Sequence, residues 1–395
     1  MKVHESLILK KDHFLFLTVI FCFWFSIYVY IPIFGVYLEH LRFDYSLVGI
    51  ILGSYGITQI LIRFPLGILS DFLGKMRKGM LIAGFFMAFA SGVMFLMFTS
   101  FIPVFIARLL SGITASMWVM ATTLYAQYFE ESQSAKAMGT LQFMTVVTQF
   151  LSMAVSGKIV ERFGWEMPFL IGTITALIGF VLSFWIKEIK ETEAKEGTAR
   201  YVDQLTYVFR IKALWVISIL SLAAHSILFM TMFGFTPIYV AQKGFSESTF
   251  FWIVASFFIP HAAASLLLAY LPVRKPKLLL FLSFLLTGVF HLLLPFSDSL
   301  WWICFLHVLI GFWLGLIFPQ LLAMVIPVCE ESYRTTAMGF YQSVYAIGIF
   351  IGPMLAGFLA DHVGFYEVFI ATGIIAFASA LASTMIPAVQ REKDN

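Results

Sequence analysis

The chain has 395 residues, of which 61% are apolar and 12% charged, against about 45–50% and about 25% in an average soluble domain. These proportions exclude a water-soluble fold. Twelve apolar spans of about 21 residues would use about 250 positions and leave about 11 for each connection, too few for a soluble domain. Lys and Arg number 25 against 22 Asp and Glu, a formal charge of +3, so no basic excess points to nucleic acid as a partner.

Apolar runs predict helices near 14–38, 46–70, 80–99, 101–129, 137–160 and 168–186, then 212–240, 248–271, 278–296, 300–328, 337–360 and 366–387. The polar start from Met1 to Asp12 precedes an apolar run too long for a signal-peptide core, with no small-x-small cleavage site after it. It is expected to persist as the first span. Six spans lie on either side of the longest polar stretch. The expected fold is an all-α membrane protein of 12 transmembrane helices: an N-terminal six-helix bundle over 1–186, a cytoplasmic linker over 187–211 and a C-terminal six-helix bundle over 212–395. The linker region carries Lys187, Lys190, Lys195, Arg200, Arg210 and Lys212 beside five acidic residues, and is expected to be solvated and part helical.

If both termini and the linker share one face, that face collects 19 Lys and Arg. Arg42, Lys158, Arg162 and Lys243 fall opposite, and Arg63 and Arg108 fall within spans. Short basic loops resist translocation, so the expected location is the cell membrane, multi-pass, with N- and C-termini cytoplasmic. Cys22, Cys304 and Cys329 are far apart in sequence and lack metal-ligand spacing, so neither a disulfide framework nor a metal site is implied.

An internal repeat is clear at an offset of 200. Glu130-Glu131-Ser132 recurs as Glu330-Glu331-Ser332 and Ala137-Met138-Gly139 as Ala337-Met338-Gly339. The register continues through Gln142/Gln342, Phe150/Phe350, Gly157/Gly357, Glu161/Asp361, Gly164/Gly364 and Phe169/Phe369. The halves therefore read as parallel copies of a six-helix unit, with a substrate site expected between them near the midplane.

Between the second and third spans the chain runs Gly67-Ile-Leu-Ser-Asp-Phe-Leu-Gly-Lys-Met-Arg-Lys78. With the twelve spans and the repeat, this resembles the major facilitator superfamily, whose signature in that loop is Gly-x-Leu-Ala-Asp-basic-x-Gly-basic-basic. Gly67, Leu69, Asp71, Gly74, Lys75 and Arg77 or Lys78 fit, while Phe72 stands where a basic residue is usual. The resemblance implies a gating motif in which the loop cations pair with an acid at the inner end of the fourth span, where Glu130 and Glu131 stand. Arg108-Leu-Leu-Ser-Gly112 in the fourth span is similar to an Arg-x-x-x-Gly element of proton-coupled members. Gly348-x-x-x-Gly352-Pro353-x-x-x-Gly357 in the eleventh resembles the packing element that drug antiporters usually carry in the fifth, where this chain has Ser152-Met153.

Several residues are candidates for a substrate or proton pathway. In the second span Tyr55, Gln59 and Arg63 recur every four residues and share one helical stripe. The fourth offers Arg108, Ser111, Ala115, Trp118, Thr122 and Tyr125, and the fifth Gln142, Thr145, Gln149, Ser152 and Ser156. For the Ser and Thr positions helix packing is the better reading, and for the two arginines a wet cavity, because a charge within the bilayer seeks a partner or water. Tyr341, Gln342 and Tyr345 in the eleventh span, His225 and Met232 in the seventh and His261 in the eighth are expected to complete the site. Trp24, Trp118 and Trp313 could stack on a flat cargo. Glu39, Glu161, Asp361, His225, His261, His291 and His307 are the candidate proton carriers.

No phosphate loop, His-x-x-x-His or Cys-x-x-Cys pattern is present, and the sequence implies no enzyme, no catalytic residues, no cofactor and no metal. The expected function is secondary active transport of a small organic, amphipathic compound, as proton-coupled efflux by alternating access. The expected partners are that small molecule, protons as coupling ion and the lipid bilayer, with the protein a monomer. Two alternatives remain open. One is uptake or facilitated transport of a small anionic nutrient or metabolite, suggested by two intramembrane arginines without an intramembrane carboxylate. The other is a non-transporting membrane sensor or assembly factor.

Overall fold

A computed structural model of the chain describes residues 8–69, 76–129, 133–189, 201–270, 273–330 and 333–386. The apolar runs form helices because a backbone in hydrocarbon must satisfy its own N–H and C=O groups. In the N-terminal half these are α1 (Lys10–His40), α2 (Tyr45–Leu69), α3 (Arg77–Met97), α4 (Phe101–Ala126), α5 (Ser134–Phe163) and α6 (Met167–Ser183). The C-terminal half has α7 (Lys212–Gln242), α8 (Phe250–Tyr270), α9 (Pro276–Leu293), α10 (Leu300–Val325), α11 (Arg334–His362) and α12 (Phe365–Ser383). Among the described residues eleven helices are long and apolar enough to cross a membrane, and α6, of 17 residues, is a shorter apolar helix. The twelve differ from the expected spans only at their ends.

The first helix of each half is broken beyond its middle. α1 is interrupted at Val29 and Tyr30, ahead of Pro32, and α7 contains a π-helical turn, Thr231–Phe235, ahead of Pro237. Proline removes a backbone donor and crowds the preceding turn, which favours both breaks, although Pro65, Pro260, Pro319 and Pro353 lie inside helices that run on through them. α4 is also interrupted, at Met117, without a proline.

The two six-helix bundles meet along α2 and α11, α5 and α8, and α1 and α7. The α2–α11 seam is built on small residues. A Cβ on Gly56 would lie 2.6 Å from the Phe350 nitrogen and 2.8 Å from the Ala346 carbonyl oxygen, and one on Gly49 would strike the Pro353 carbonyl. Only glycine lets the backbones come this close.

The helix ends on the side of the chain termini form one face, and the opposite ends form the far face. At the far face the halves are joined by polar groups. Tyr45 Oη donates to Glu39 Oε1 at 2.6 Å, Gln242 Nε2 donates to the same oxygen at 3.2 Å and to Tyr45 Oη, and Ser46 Oγ donates to Asp361 Oδ2 at 2.7 Å. The Tyr45 ring meets Phe365 edge-on at 4.9 Å. At the termini face a linker helix, Tyr201–Arg210, rests on the start of α11, with Tyr207 stacked on Tyr333 at 4.0 Å and Thr336 donating to Gln204 at 3.1 Å.

Candidate functional site

Helices α1, α2, α4 and α5 of one half and α7, α8, α10 and α11 of the other line a cavity of about 330 Å³. At 1.5 Å per residue, Gln142 and Tyr341 in its wall lie about 10–12 Å along α5 and α11 from their termini-face ends. Phe233 and Phe257 lie about as far from the far-face ends of α7 and α8, so the cavity is central.

Its walls are aromatic: Trp24, Tyr28, Tyr55 and Trp118 from the first half, and Phe229, Phe233, Phe257, Phe258, Phe318, Tyr341 and Tyr345 from the second. Trp24 and Trp118 are 5.2 Å apart between ring centroids, and the Trp24 indole nitrogen is buried without a partner. Polar groups are fewer: Gln59, Arg63, Gln142, Thr145, Gln149, His225, His261 and Ser265. Arg63 is the one Lys or Arg in this lining, which holds no Asp or Glu among the described residues.

The four-residue spacing of Tyr55, Gln59 and Arg63 turns all three toward the cavity. Arg63 is 5% exposed; its Nη1 donates to Tyr345 Oη at 2.6 Å and its Nη2 to the Ala115 carbonyl at 3.4 Å, while Nε has no partner. Tyr345 is stacked in turn on His225, centroids 4.0 Å apart and planes 3° apart. His225 Nδ1 lies 2.8 Å from the Ser221 carbonyl. A carbonyl only accepts, so Nδ1 carries a proton and donates to it. Ser221 Oγ donates to Tyr341 Oη at 2.8 Å. His261 packs on Phe257 and Phe318 at 5.4 and 5.9 Å.

Of the candidate pathway residues, the structure brings together Tyr55, Gln59, Arg63, Trp118, Gln142, His225, His261 and Tyr345. It leaves out Arg108 and Gln342. Arg108 stands behind Tyr55, its guanidinium carbon 4.3 Å from that ring's centroid and 5.6 and 5.9 Å from Phe34 and Tyr30, with Nη1 donating to Tyr30 Oη at 3.2 Å. Tyr30, Ser111 and Ser91 continue this network into α3. A ring cage of this kind stabilises a desolvated cation by about 2 kcal/mol. Gln342 is turned aside while its neighbour Tyr341 lines the wall. Trp313, Met232, His291 and His307 also lie outside the lining; His291 and His307 each bond the carbonyl four residues back, at 2.7 and 2.8 Å. Glu39 and Asp361 belong to the far-face cluster.

In the loop motif, Gly67 lies in the last turn of α2 and Arg77 is buried at the start of α3. Lys78 Nζ donates to the Phe184 carbonyl at 2.7 Å, capping the end of α6. Asp71, Gly74, Lys75 and Glu130 lie outside the described residues. Sequence reasoning missed Phe229, Phe233, Phe257, Phe258 and Phe318, which no spacing distinguishes from lipid-facing phenylalanines.

A family model described as Major Facilitator Superfamily matches residues 16–251 and 240–395. Inner membrane transport protein YajR of Escherichia coli is 25% identical over 349 residues, covering 86% of this chain and 75% of its own. Multi-drug resistance efflux pump PmrA of Streptococcus pneumoniae is 26% identical over 375 residues, 90% of this chain and 91% of its own. The crystal structure of nucleoside transporter NupG matches with a TM-score of 0.76 over 95% of this chain and 99% of that one, at 15% identity. That of human organic anion transporter MFSD10 matches with 0.69 over 94% and 98%, also at 15%. These structural likenesses speak for the fold, a 12-helix arrangement in two bundles. With the family model spanning nearly the whole chain, the protein belongs to the Major Facilitator Superfamily of membrane transporters.

Proposed function

We propose that the protein exports small amphipathic organic compounds across the cell membrane by alternating access, in exchange for protons entering from the far face. The observation that carries this is the central cavity, whose aromatic walls and scattered amides come from both halves. Such a lining suits a cargo with a large apolar body and few polar groups. Parallel halves around a midplane site lend themselves to rocking that opens one face and closes the other. Similarity to a multi-drug resistance efflux pump, PmrA, supports export. The distribution of Lys and Arg supports termini and linker on the cytoplasmic side, with the bundles divided at 187–211. His225 and His261 in the cavity and Glu39 at the far face are groups a proton could use.

The test is reconstitution in liposomes holding a pH-sensitive dye, with an imposed proton gradient and a panel of neutral, anionic and cationic amphiphiles. Proton movement that depends on a compound and runs opposite to it is the expected result. A compound that equilibrates without moving protons overturns proton exchange and leaves facilitated transport. Uptake of an anionic metabolite is the competing reading, favoured by Arg63 facing the cavity without a carboxylate, and the direction of net flux decides between them. Failure of every flux with folded protein overturns transport itself.

A further inference from the structure

The geometry points to Arg63 as an anion receptor: the cargo is an aromatic or otherwise hydrophobic monoanion whose carboxylate takes the place that the Tyr345 hydroxyl occupies on the guanidinium. This rests on the cavity being the cargo site, and on neither the direction of transport nor its coupling.

Three observations carry it. Arg63 is 5% exposed and lines the cavity, yet the lining provides no carboxylate among the described residues. A charge held in a low-dielectric wall is costly unless something neutralises it, and the cavity leaves that place to what enters it. Second, Arg63 is under-used. Its partners are a neutral hydroxyl at 2.6 Å and a long contact to the Ala115 carbonyl at 3.4 Å, and Nε–H has none. A guanidinium presents five donors in a planar fork that fits the two oxygens of a carboxylate. Third, the group now on Nη1 is replaceable. Tyr345 is anchored by its ring, stacked on His225 at 4.0 Å, so its hydroxyl is not what holds the side chain in place. A carboxylate outcompetes a phenol for guanidinium because hydrogen bonds between two ionised groups are about twice as strong as neutral ones. One cation in the lining matches one anionic group, and the surrounding rings match an apolar body.

The exchange has a consequence for movement. Arg63 is on α2 and Tyr345 on α11, so their hydrogen bond crosses between halves. An anion that displaces the hydroxyl removes that tie at the moment the cavity fills, which links occupancy to rocking.

The experiment uses three probes on one carbon frame: 4-phenylbutyrate, its amide 4-phenylbutyramide, and 4-phenylbutylamine. Binding to the purified full-length protein in detergent is read by tryptophan fluorescence, and Trp24→Phe and Trp118→Phe should remove the signal if the probes sit in the cavity. The wild type should bind the acid about tenfold or more tightly than the amide, and the amine most weakly. Arg63→Gln should abolish the preference for the acid, with its folding checked separately by the thermal unfolding midpoint; Arg63→Lys should retain part of it. Tyr345→Phe, which keeps the stacked ring and removes the competing hydroxyl, should bind the acid more tightly than the wild type. Equal affinity for acid and amide in the wild type, or a preference that survives in Arg63→Gln, overturns the receptor and leaves the cavity as a cargo site. If the amide and the amine bind and the acid does not, the cargo is not anionic. If none of the three binds folded wild-type protein, the cavity as cargo site fails and the receptor with it.

Discussion

Replacing Gln242 with alanine should unlock the far face. Gln242 reaches from the end of α7 to the opposite half, where its amide donates to Glu39 at 3.2 Å and to the Tyr45 hydroxyl, while Tyr45 and Glu39 stay joined to each other at 2.6 Å within their own half. One bond to a carboxylate is worth about 1.5–3 kcal/mol and one to a hydroxyl about 0.5–1.5. Gln242 is exposed, which takes the pair to the low end, about 1.5–2 kcal/mol together. Because these bonds exist only while the halves are closed at this face, their loss favours the open arrangement by about 10–30-fold. Opening can be read at Ile238, which is fully buried one turn earlier on α7 and packs on Gly35 of α1. In a background with Cys22, Cys304 and Cys329 replaced by serine, Ile238→Cys would be labelled by a membrane-impermeant thiol reagent added at the far face. The labelling rate should rise about 10–30-fold with Gln242→Ala. Lys243→Ala should leave it unchanged, because the Lys243 ammonium bonds Asp298 at 2.9 Å and lies over Tyr239, both in its own half. A rate within about twofold of the parent in Gln242→Ala would refute a polar latch at this seam.

The same reporter should also be labelled faster in Glu39→Gln, which keeps the side chain's length and removes the charge that strengthens its two bonds; a rate equal to the parent's would mean that the carboxylate does not hold this seam. Arg108→Ala should cost about 2–5 kcal/mol of stability by emptying the cage of Tyr30, Phe34 and Tyr55. Thermal unfolding in detergent would show this as a lower midpoint, and a midpoint equal to the wild type's would mean that the cage does not hold the half together. Gly49→Ala should force α2 from the Pro353 carbonyl, lowering the thermal midpoint by the equivalent of about 1–3 kcal/mol; an unchanged midpoint together with unchanged Ile238→Cys labelling would contradict the close approach described here.

Much of this architecture is legible in the residues. Twelve apolar runs must become helices in hydrocarbon, and a repeat at an offset of 200 already states that there are two like halves. The stripe of Tyr55, Gln59 and Arg63 also points inward as its spacing requires. Spacing gives a face, though not what stands in front of it. Arg108 shares the stripe logic and is nevertheless walled off, because Tyr55 from another helix lies between its guanidinium and the cavity. Gln142 and Gln342 occupy equivalent positions in the repeat, yet one lines the wall and the other does not. That divergence depends on the packing of unlike neighbours. The broken courses of α1 and α7 are not read from the sequence: Pro32 and Pro237 stand just past the interruptions, but Pro65, Pro260, Pro319 and Pro353 sit in helices that continue, so a proline alone does not mark a break. The cavity phenylalanines carried no signal at all, since an aromatic ring in a span is equally at home against lipid.

The glycine seam between α2 and α11 bears on how quickly the protein can turn over. Interfaces of meshed leucines or phenylalanines must disengage rotamer by rotamer before two helices part, and each step carries its own barrier. Here Gly49, Gly53, Gly56 and Gly357 present bare backbone to bare backbone, so along this stretch there are few teeth to clear. Such a surface acts as a smooth bearing. Friction is then concentrated in a few identifiable bonds, Gln242 with Glu39 and Arg63 with Tyr345, and the speed of the cycle becomes something single side chains can set.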